Sequence, residues 1–226
     1  MSGKRFRQIR ANIEKDKVYP LAEAIALIKT NATARFDETV ELAANLNINS
    51  QKTDQNIRGT AQLPHGTGRS CRVAAFARGS AADAATAAGA DIVGAEDLVE
   101  QIQRGELNFD RCVSTPDMMV IVSKVAKILG PRGLMPSPKT GTVSTDIAAA
   151  VAAVKGGQIE FRTDKGGVVH AGIGKASFDA IKLEENIKFL LGVISKEKPT
   201  TTKGVFIKKT TLSSTMGCGV VFTAES

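Results

Sequence analysis

The stretch Gly130–Val143 combines residue types that could bind an anion. Its fourteen residues hold three of the chain's seven prolines and three glycines, together with Arg132 and Lys139. Proline fixes φ and glycine permits sharp reversals, so we expect a stiff, exposed loop. Such a loop either presents charge to a polyanion or cradles a phosphate, or it is simply a rigid structural connection. The loop alone does not decide among these three.

Known phosphate-binding templates do not fit the sequence. A Walker A loop ending in Gly174-Lys175 would need glycine where Val169 stands, and serine or threonine where Ala176 stands. Gly66–Gly68 begins a dinucleotide fingerprint, but Cys71 replaces the third glycine and a predicted strand follows instead of a helix. We therefore interpret Gly66–Gly68 as part of a linker.

Catalytic and metal-binding constellations are not evident either. His65 and His170 lie in no HExxH motif or G-x-S-x-G elbow and are interpreted as structural or surface residues. The three cysteines are isolated, which indicates neither a zinc site nor a disulfide framework and favours a reducing compartment. We expect no metal, no cofactor and no enzymatic activity. The rival class is an enzyme with a nucleotide site in an α/β domain.

The charge balance indicates an anionic partner. The net charge is +7 and the isoelectric point is near 9.4, which favours nucleic acid first and a membrane surface second. A basic protein without any polyanionic partner stays open on charge alone. No apolar run reaches transmembrane length, and the cationic N-terminus lacks a following apolar region. We expect a cytoplasmic protein without a membrane partner.

Hydrophobic periodicity predicts the elements that must position these residues. A helix is expected from Pro20 to about Lys29, and apolar residues alternate with polar ones from Thr39 to Ile48, which is typical of a half-buried strand. Beyond Gly66–Gly68, short apolar strands alternate with helices, which predicts a mainly parallel sheet. In that part, Ser80–Asp83 resembles a helix capping box.

The alternating pattern returns after Gly156-Gly157. Residues 159–162 and 168–171 flank the turn signal Thr163–Gly167, which predicts a β-hairpin. A helix is expected from Asp179 to Lys196, and two final strands surround Ser213–Gly217.

Charge supports a division into an α+β domain formed by both chain ends and an inserted α/β domain. Residues 1–66 and 159–226 carry 10 basic and 7 acidic side chains each, whereas residues 67–158 carry 10 and 9. Nearly all of the net charge therefore lies in the two flanks. We expect residues 1–66 plus 159–226 to form one domain that holds the binding face, and residues 67–158 to form the other.

Several motifs then occur in an order that resembles a known family. They are Arg35–Glu41, Asp54–Thr60, Leu63–Gly68, Gly130–Val143, Ile159–Arg162, Gly174–Phe178 and Ser214–Gly217. Spread over nearly the whole chain, they resemble large-subunit ribosomal protein L-one of the bacterial type, which lies in the mobile stalk beside the tRNA exit site. The resemblance implies an α/β domain inserted into a two-ended α+β domain that binds large-subunit ribosomal RNA. It also implies release of deacylated tRNA from the exit site, repression of translation of the protein's own messenger RNA, and contact with other large-subunit components.

The same resemblance assigns the contact residues. The first group is Arg35, Phe36, Thr39 and Glu41 on the first strand, and the second is Ser213, Thr215, Met216 and Gly217 in the turn between the last two strands. Lys165, His170 and Lys175 are supporting candidates, and Arg132 and Lys139 are expected to make secondary contacts with RNA or tRNA. Gly68, Gly156 and Gly157 are candidate hinges between the domains.

These residue types suit RNA. Threonine and serine hydroxyls can pair with 2′-OH groups and base edges, lysine and arginine hold phosphates, and glycine permits close backbone approach. Phe36 is either an apolar contact to a sugar or base, or a core residue, and Met216 could simply fill the turn. Glu41 repels phosphate, so we expect it to orient a basic or hydroxyl neighbour. Cys218 stands where the family usually has proline, and Arg35 where it usually has lysine.

Overall fold

The computed structural model describes residues 3–14, 17–49, 55–200, 202 and 204–223. The chain divides into two compact units, Met1–Gly68 with Ile159–Ser226, and Arg69–Gln158. The first boundary lies two residues beyond the predicted one. Asp54, at the start of one of the family motifs, lies outside the described residues.

The described residues form eight α-helices and nine strands. In chain order they are α1 (Lys4–Ala11), α2 (Leu21–Asn31), β1 (Thr39–Leu46), β2 (Arg58–Gln62), β3 (Val73–Phe76), α3 (Ser80–Ala87), β4 (Ile92–Gly94), α4 (Glu96–Gln103), β5 (Arg111–Ser114), α5 (Met119–Val122), α6 (Ala126–Leu129), α7 (Ile147–Lys155), β6 (Gln158–Arg162), β7 (Val168–Lys175), α8 (Ala180–Lys196), β8 (Ile207–Ser214) and β9 (Val220–Phe222).

An antiparallel sheet with the order β7-β1-β8-β9 forms the first unit's framework. Val40, Leu42, Ala44 and Leu46 of β1 are buried, because the period of two sends them all to one face. Helices α2 and α8 cover that face and contribute aliphatic side chains to the same core. The opposite face carries the polar residues of β1, so the sheet is buried on one side only. Its strands come from both sides of the inserted unit.

The hairpin predicted around Thr163–Gly167 is wrong in its strand pairing. The turn forms, because the Asp164 carboxylate accepts hydrogen bonds from the amides of Gly166 and Val168, both at 2.8 Å. Only the Thr163–Val169 bridge continues it. Beyond this bridge β6 pairs with β2 in a separate two-stranded sheet, while β7 pairs with β1. The turn therefore connects the two-stranded sheet to the four-stranded sheet.

The second unit is a parallel sheet, ordered β4-β3-β5, between two layers of helices. Val73 and Ala75 of β3 pack with α3 and α7, whereas Ala74 and Phe76 pack with α4 and the segment containing α5 and α6. The capping box predicted at Ser80 does not form, since Gly79 is the cap residue and makes no side-chain bond. At α7, the Asp146 carboxylate accepts from the Ala149 amide at 3.1 Å.

Internal hydrogen bonds hold the Gly130–Val143 loop. The Thr142 hydroxyl accepts from the Ser137 amide at 2.9 Å, and the Thr140 hydroxyl donates to the Ser137 carbonyl at 3.0 Å. Val143 forms a parallel bridge with Ser114 of β5. These hydroxyls are thus engaged within the protein, which favours the structural alternative over a phosphate cradle.

The fold class predicted from the sequence is confirmed. A two-ended α+β unit carries an inserted α/β unit with a parallel sheet. No described helix has the length and apolar character needed to cross a membrane.

Candidate nucleic-acid interface

Three motif segments meet at one end of the antiparallel sheet. Thr39 at the start of β1 is paired with Lys175 at the end of β7, and the next residue, Val40, is paired with Ser214 at the end of β8. The antiparallel order therefore brings the segments 34–38, 175–178 and 214–217 together, although they are far apart in sequence. We call this region the strand-end cluster.

Glu38 is the centre of the strand-end cluster. Its side chain is only 1% exposed. One carboxylate oxygen accepts from the Ala34 amide at 3.0 Å, and the other accepts from the Met216 amide at 3.0 Å. The Ser214 hydroxyl also donates to this carboxylate. Glu38 thus links the loop before β1 to the turn after β8.

The environment of Glu38 keeps it ionised. Burial by itself raises the pKa of this carboxyl group, but the hydrogen bonds from Met216, Ser214 and Ala34 and the charge of Arg5 outweigh burial. The net result is a pKa lowered from the ordinary value of 4.5. A buried carboxylate with three donors is a stable structural link at neutral pH.

A chain of polar side chains runs through Thr39. The Thr215 hydroxyl oxygen accepts from the Thr39 amide at 2.9 Å, and the same hydroxyl donates to the Thr39 carbonyl at 3.3 Å. The Lys175 ammonium donates to the Thr39 hydroxyl at 2.9 Å. The Thr39 hydroxyl proton is therefore available to an external acceptor, and Thr215 can offer only its remaining lone pair.

The segment after β7 is attached to the same loop. The Ala176 amide donates to the Glu38 carbonyl at 2.8 Å. The amide and hydroxyl of Ser177 donate to the Asp37 carboxylate at 3.2 and 2.7 Å, and the Lys29 ammonium donates to the Phe178 carbonyl. All three segments of the cluster are therefore held by specific hydrogen bonds.

The turn Thr215–Gly217 presents an apolar side chain and a close-fitting backbone. Met216 is 48% exposed, and Phe36 is 55% exposed, so neither is a core residue. The Gly217 amide donates to the Ser214 carbonyl at 3.0 Å, and a Cβ on Gly217 would overlap the Ser214 hydroxyl. A larger residue here would therefore force the Ser214 hydroxyl to move.

The solvent-facing side of the sheet continues from the cluster. Glu41 lies opposite Ser213 on β8, and its exposed side chain forms no hydrogen bond or ion pair within the described part of the chain. The carboxylate with an orienting role here is Glu38. His170 lies further along the same face, with its ring 3.8 Å from the Asp164 carboxylate. Lys165 lies in the turn before β7, at the opposite end from Lys175.

The secondary candidates lie elsewhere. Arg132 and Lys139 are exposed on the loop of the second unit. Gly68 has a φ of +69° and lies against the Phe178 ring, and Gly157 has a φ of +88°. Gly156 caps α7 with an ordinary φ of −70°. Among the residues that the structure describes, no group of three or more His, Cys, Asp or Glu side chains could hold a metal ion.

A protein-family model matches most of the chain. Residues 27–218 match the model of the ribosomal protein L1p/L10e family, which is most of the chain and includes all three segments of the strand-end cluster. The chain belongs to this family. This L1p/L10e protein is therefore a large-subunit ribosomal protein that binds ribosomal RNA, and its family is generally non-enzymatic. The resemblance inferred from the motifs is confirmed at the level of the family.

Sequence reasoning overlooked two features of the strand-end cluster and its surroundings. Glu38 falls in the inward phase of the alternation that buries Val40 and Leu42, so an acid in the buried phase was the available signal. Helix α1 is the second feature: its Arg5 guanidinium donates to the Met216 carbonyl at 3.4 Å. The signal there was the run of cations on α1 without any acid in its first turn.

Proposed function

We propose that this protein is a bacterial-type member of its family. We further propose that it binds large-subunit ribosomal RNA through the strand-end cluster and the adjoining face of the sheet. The proposed contacts at the cluster are Arg35, Phe36, Thr39, Lys175, Thr215, Met216 and Gly217. Glu41, Ser213, His170 and Lys165 extend the surface along the sheet. The single observation that carries the proposal is the Glu38 carboxylate, which holds two of these contact segments in one arrangement.

A prearranged surface suits RNA recognition because binding then orders fewer groups. The Thr39 hydroxyl can donate to, and the Thr215 oxygen can accept from, a 2′-OH group or a base edge, which is how proteins distinguish RNA from DNA. Arg35 and Lys175 supply positive charge for phosphates, and exposed Phe36 and Met216 offer apolar contact to a sugar or base.

The second unit has a subsidiary role in the proposal. Between Asp117 and Asp146 the sequence holds Lys124, Lys127, Arg132 and Lys139 and no acidic residue, a local excess of positive charge in an otherwise nearly neutral unit. We assign Arg132 and Lys139 to contacts with exit-site tRNA. Motion of the mobile stalk would then assist release of deacylated tRNA, with Gly68, Gly156 and Gly157 as hinges.

The remaining elements of the proposal concern partners and organisation. The two compact units, Met1–Gly68 with Ile159–Ser226 and Arg69–Gln158, act as separate domains, because relative motion is the default expectation for small units of one chain. The protein works in the cytoplasmic ribosome with other large-subunit components and no membrane partner. The RNA-binding surface also binds a similar structure in the protein's own messenger RNA and so represses its translation.

Thr215→Val tests the interface with a nearly isosteric change. The valine removes the acceptor for RNA and also the bonds with Thr39, so RNA affinity should fall by about 1–3 kcal/mol and stability by about 1 kcal/mol. Binding of the full chain to large-subunit ribosomal RNA is measured by filter retention, and stability by urea unfolding.

Thr215→Ser is the matched control, because it keeps the hydroxyl and loses only a methyl group. It should bind RNA nearly as the unchanged protein does. Equal affinity of the Thr215→Val variant and the unchanged protein would remove the strand-end cluster from the interface.

A further inference from the structure

A β-bulge exposes two adjacent lysines on β8. Asn45 of β1 is paired with Lys209, but the next residue, Leu46, is paired with Ile207, so Lys208 has no opposite residue. Alternation would have turned one of the two lysines inward, whereas both are exposed. A β-bulge changes the direction in which a side chain points, and such bulges are common near functional sites.

The two lysines line a groove of about 500 Å³. Val18 and Val221 lie beside them, and none of the eight described lining residues is acidic. Neither lysine forms a hydrogen bond or ion pair within the described ranges. Two neighbouring ammonium groups without a described counter-charge favour an anionic occupant.

The groove is continuous with the proposed RNA surface. Lys209 precedes Thr211 and Ser213 on the same exposed phase of β8, and its partner Asn45 shares that face with Glu41. At about 3.3 Å per residue, Lys209 lies about 13 Å from Ser213 along the strand. An RNA held at the strand-end cluster can therefore reach the groove with its backbone.

We propose that Lys208 and Lys209 form a second site for the sugar-phosphate backbone of the same RNA, an inference that rests on the proposed location of the RNA interface. Phe222, the one aromatic residue among the described lining residues, is buried at 2% exposure, so the groove offers no surface for base stacking. A lysine ammonium is a compact point charge that suits phosphate. The site therefore adds affinity without sequence preference.

The test is the double variant Lys208→Ala/Lys209→Ala, with Lys182→Ala/Lys196→Ala as the control of equal charge. The control lysines lie on α8, which packs on the opposite face of the sheet. Binding of each full-length variant to large-subunit ribosomal RNA is measured between 0.1 and 1 M salt. Loss of two phosphate contacts lowers the slope of log affinity against log salt by about 1.4–1.8, with a gap of about 25- to 60-fold at 0.1 M that closes near 1 M.

The outcomes separate this inference from the proposed interface. A reduced slope in the groove variant alone supports the site, and an unchanged slope or an equal loss in the control overturns it. Weak binding by Thr215→Val together with an unchanged groove variant leaves the interface standing without this site. Normal binding by Thr215→Val together with a reduced groove slope keeps the lysine site and rejects the strand-end cluster. Circular dichroism checks that both double variants are folded.

Discussion

Glu38→Gln tests whether one buried carboxylate holds the strand-end cluster together. The substitution preserves the size and shape of the side chain but replaces one acceptor oxygen by an NH₂ donor. The remaining oxygen can accept from either the Ala34 amide or the Met216 amide, not from both in their present positions. The other backbone N–H then faces a donor in a buried site.

The expected cost follows from these bonds. A buried donor left without an acceptor costs about 1–3 kcal/mol, and hydrogen bonds to a charged group contribute about 1.5–3 kcal/mol each. We expect Glu38→Gln to lower the free energy of unfolding by about 2–3 kcal/mol at neutral pH. The turn would then have to be ordered when RNA binds. If that ordering costs half of the lost stability, RNA affinity falls about tenfold, which corresponds to about 1.4 kcal/mol.

The pH dependence gives a second readout. In the folded protein burial raises the pKa of Glu38, but hydrogen bonding outweighs burial and the net pKa lies below the ordinary 4.5. The stabilisation by the carboxylate is therefore complete above pH 4.5 and is lost as the pH falls through the folded-state pKa. The stability gap between the two proteins should close as the pH falls below 4.5.

Urea unfolding of the full chain, followed by circular dichroism from pH 7 to pH 3, measures that gap. Glu184→Gln is the matched control, because it removes a surface carboxylate whose ion pair with Lys188 spans 2.7 Å. Such a pair contributes less than about 1 kcal/mol. The reasoning is refuted if Glu38→Gln costs no more than Glu184→Gln, or if its cost is the same at both ends of the pH range.

Three further substitutions have defined outcomes. Gly217→Ala should lower stability by about 1–3 kcal/mol and weaken RNA binding, because its Cβ displaces the Ser214 hydroxyl from Glu38. Gly192 lies on α8 with open space around it, so Gly192→Ala should raise the free energy of unfolding by about 0.5–1 kcal/mol in the same urea assay. Asp146→Ala should cost about 1 kcal/mol by loss of the α7 cap and speed amide exchange in α7, with unchanged RNA affinity. Weaker RNA binding by Asp146→Ala, or unchanged stability of Gly217→Ala, would contradict these expectations.

The sequence predicted elements with a clear period well. The alternation from Thr39 predicted β1, with its end at Leu46 two residues earlier than the pattern suggested, and the helix expected from Asp179 is present as α8. Strand pairing was less accessible. The turn signal at Thr163–Gly167 was correct, but a tight turn does not determine whether its flanking strands pair with each other or with distant strands.

For the candidate interface too, the sequence predicted some residues but not their contacts. Motif order led to Thr39 and Thr215, and the structure places them in direct contact. The sequence could not show that the Thr215 hydroxyl is already engaged with the Thr39 peptide, because that bond joins residues 176 positions apart. These bonds imply that Thr215→Val costs measurable stability as well as RNA affinity. The β8 bulge was equally invisible, since nothing in Ile207–Lys209 marks an extra residue.

The sheet order β7-β1-β8-β9 has a consequence for synthesis of the protein. Residues 69–158 are complete in the nascent chain while β8 and β9 are still missing, so the inserted unit can fold first. The strand-end cluster needs Thr215 and Met216, which follow β8 and are therefore translated after the whole inserted unit. A chain whose synthesis stops early therefore lacks the turn that completes the proposed RNA surface. The proposed RNA surface is therefore completed later in synthesis than the inserted unit.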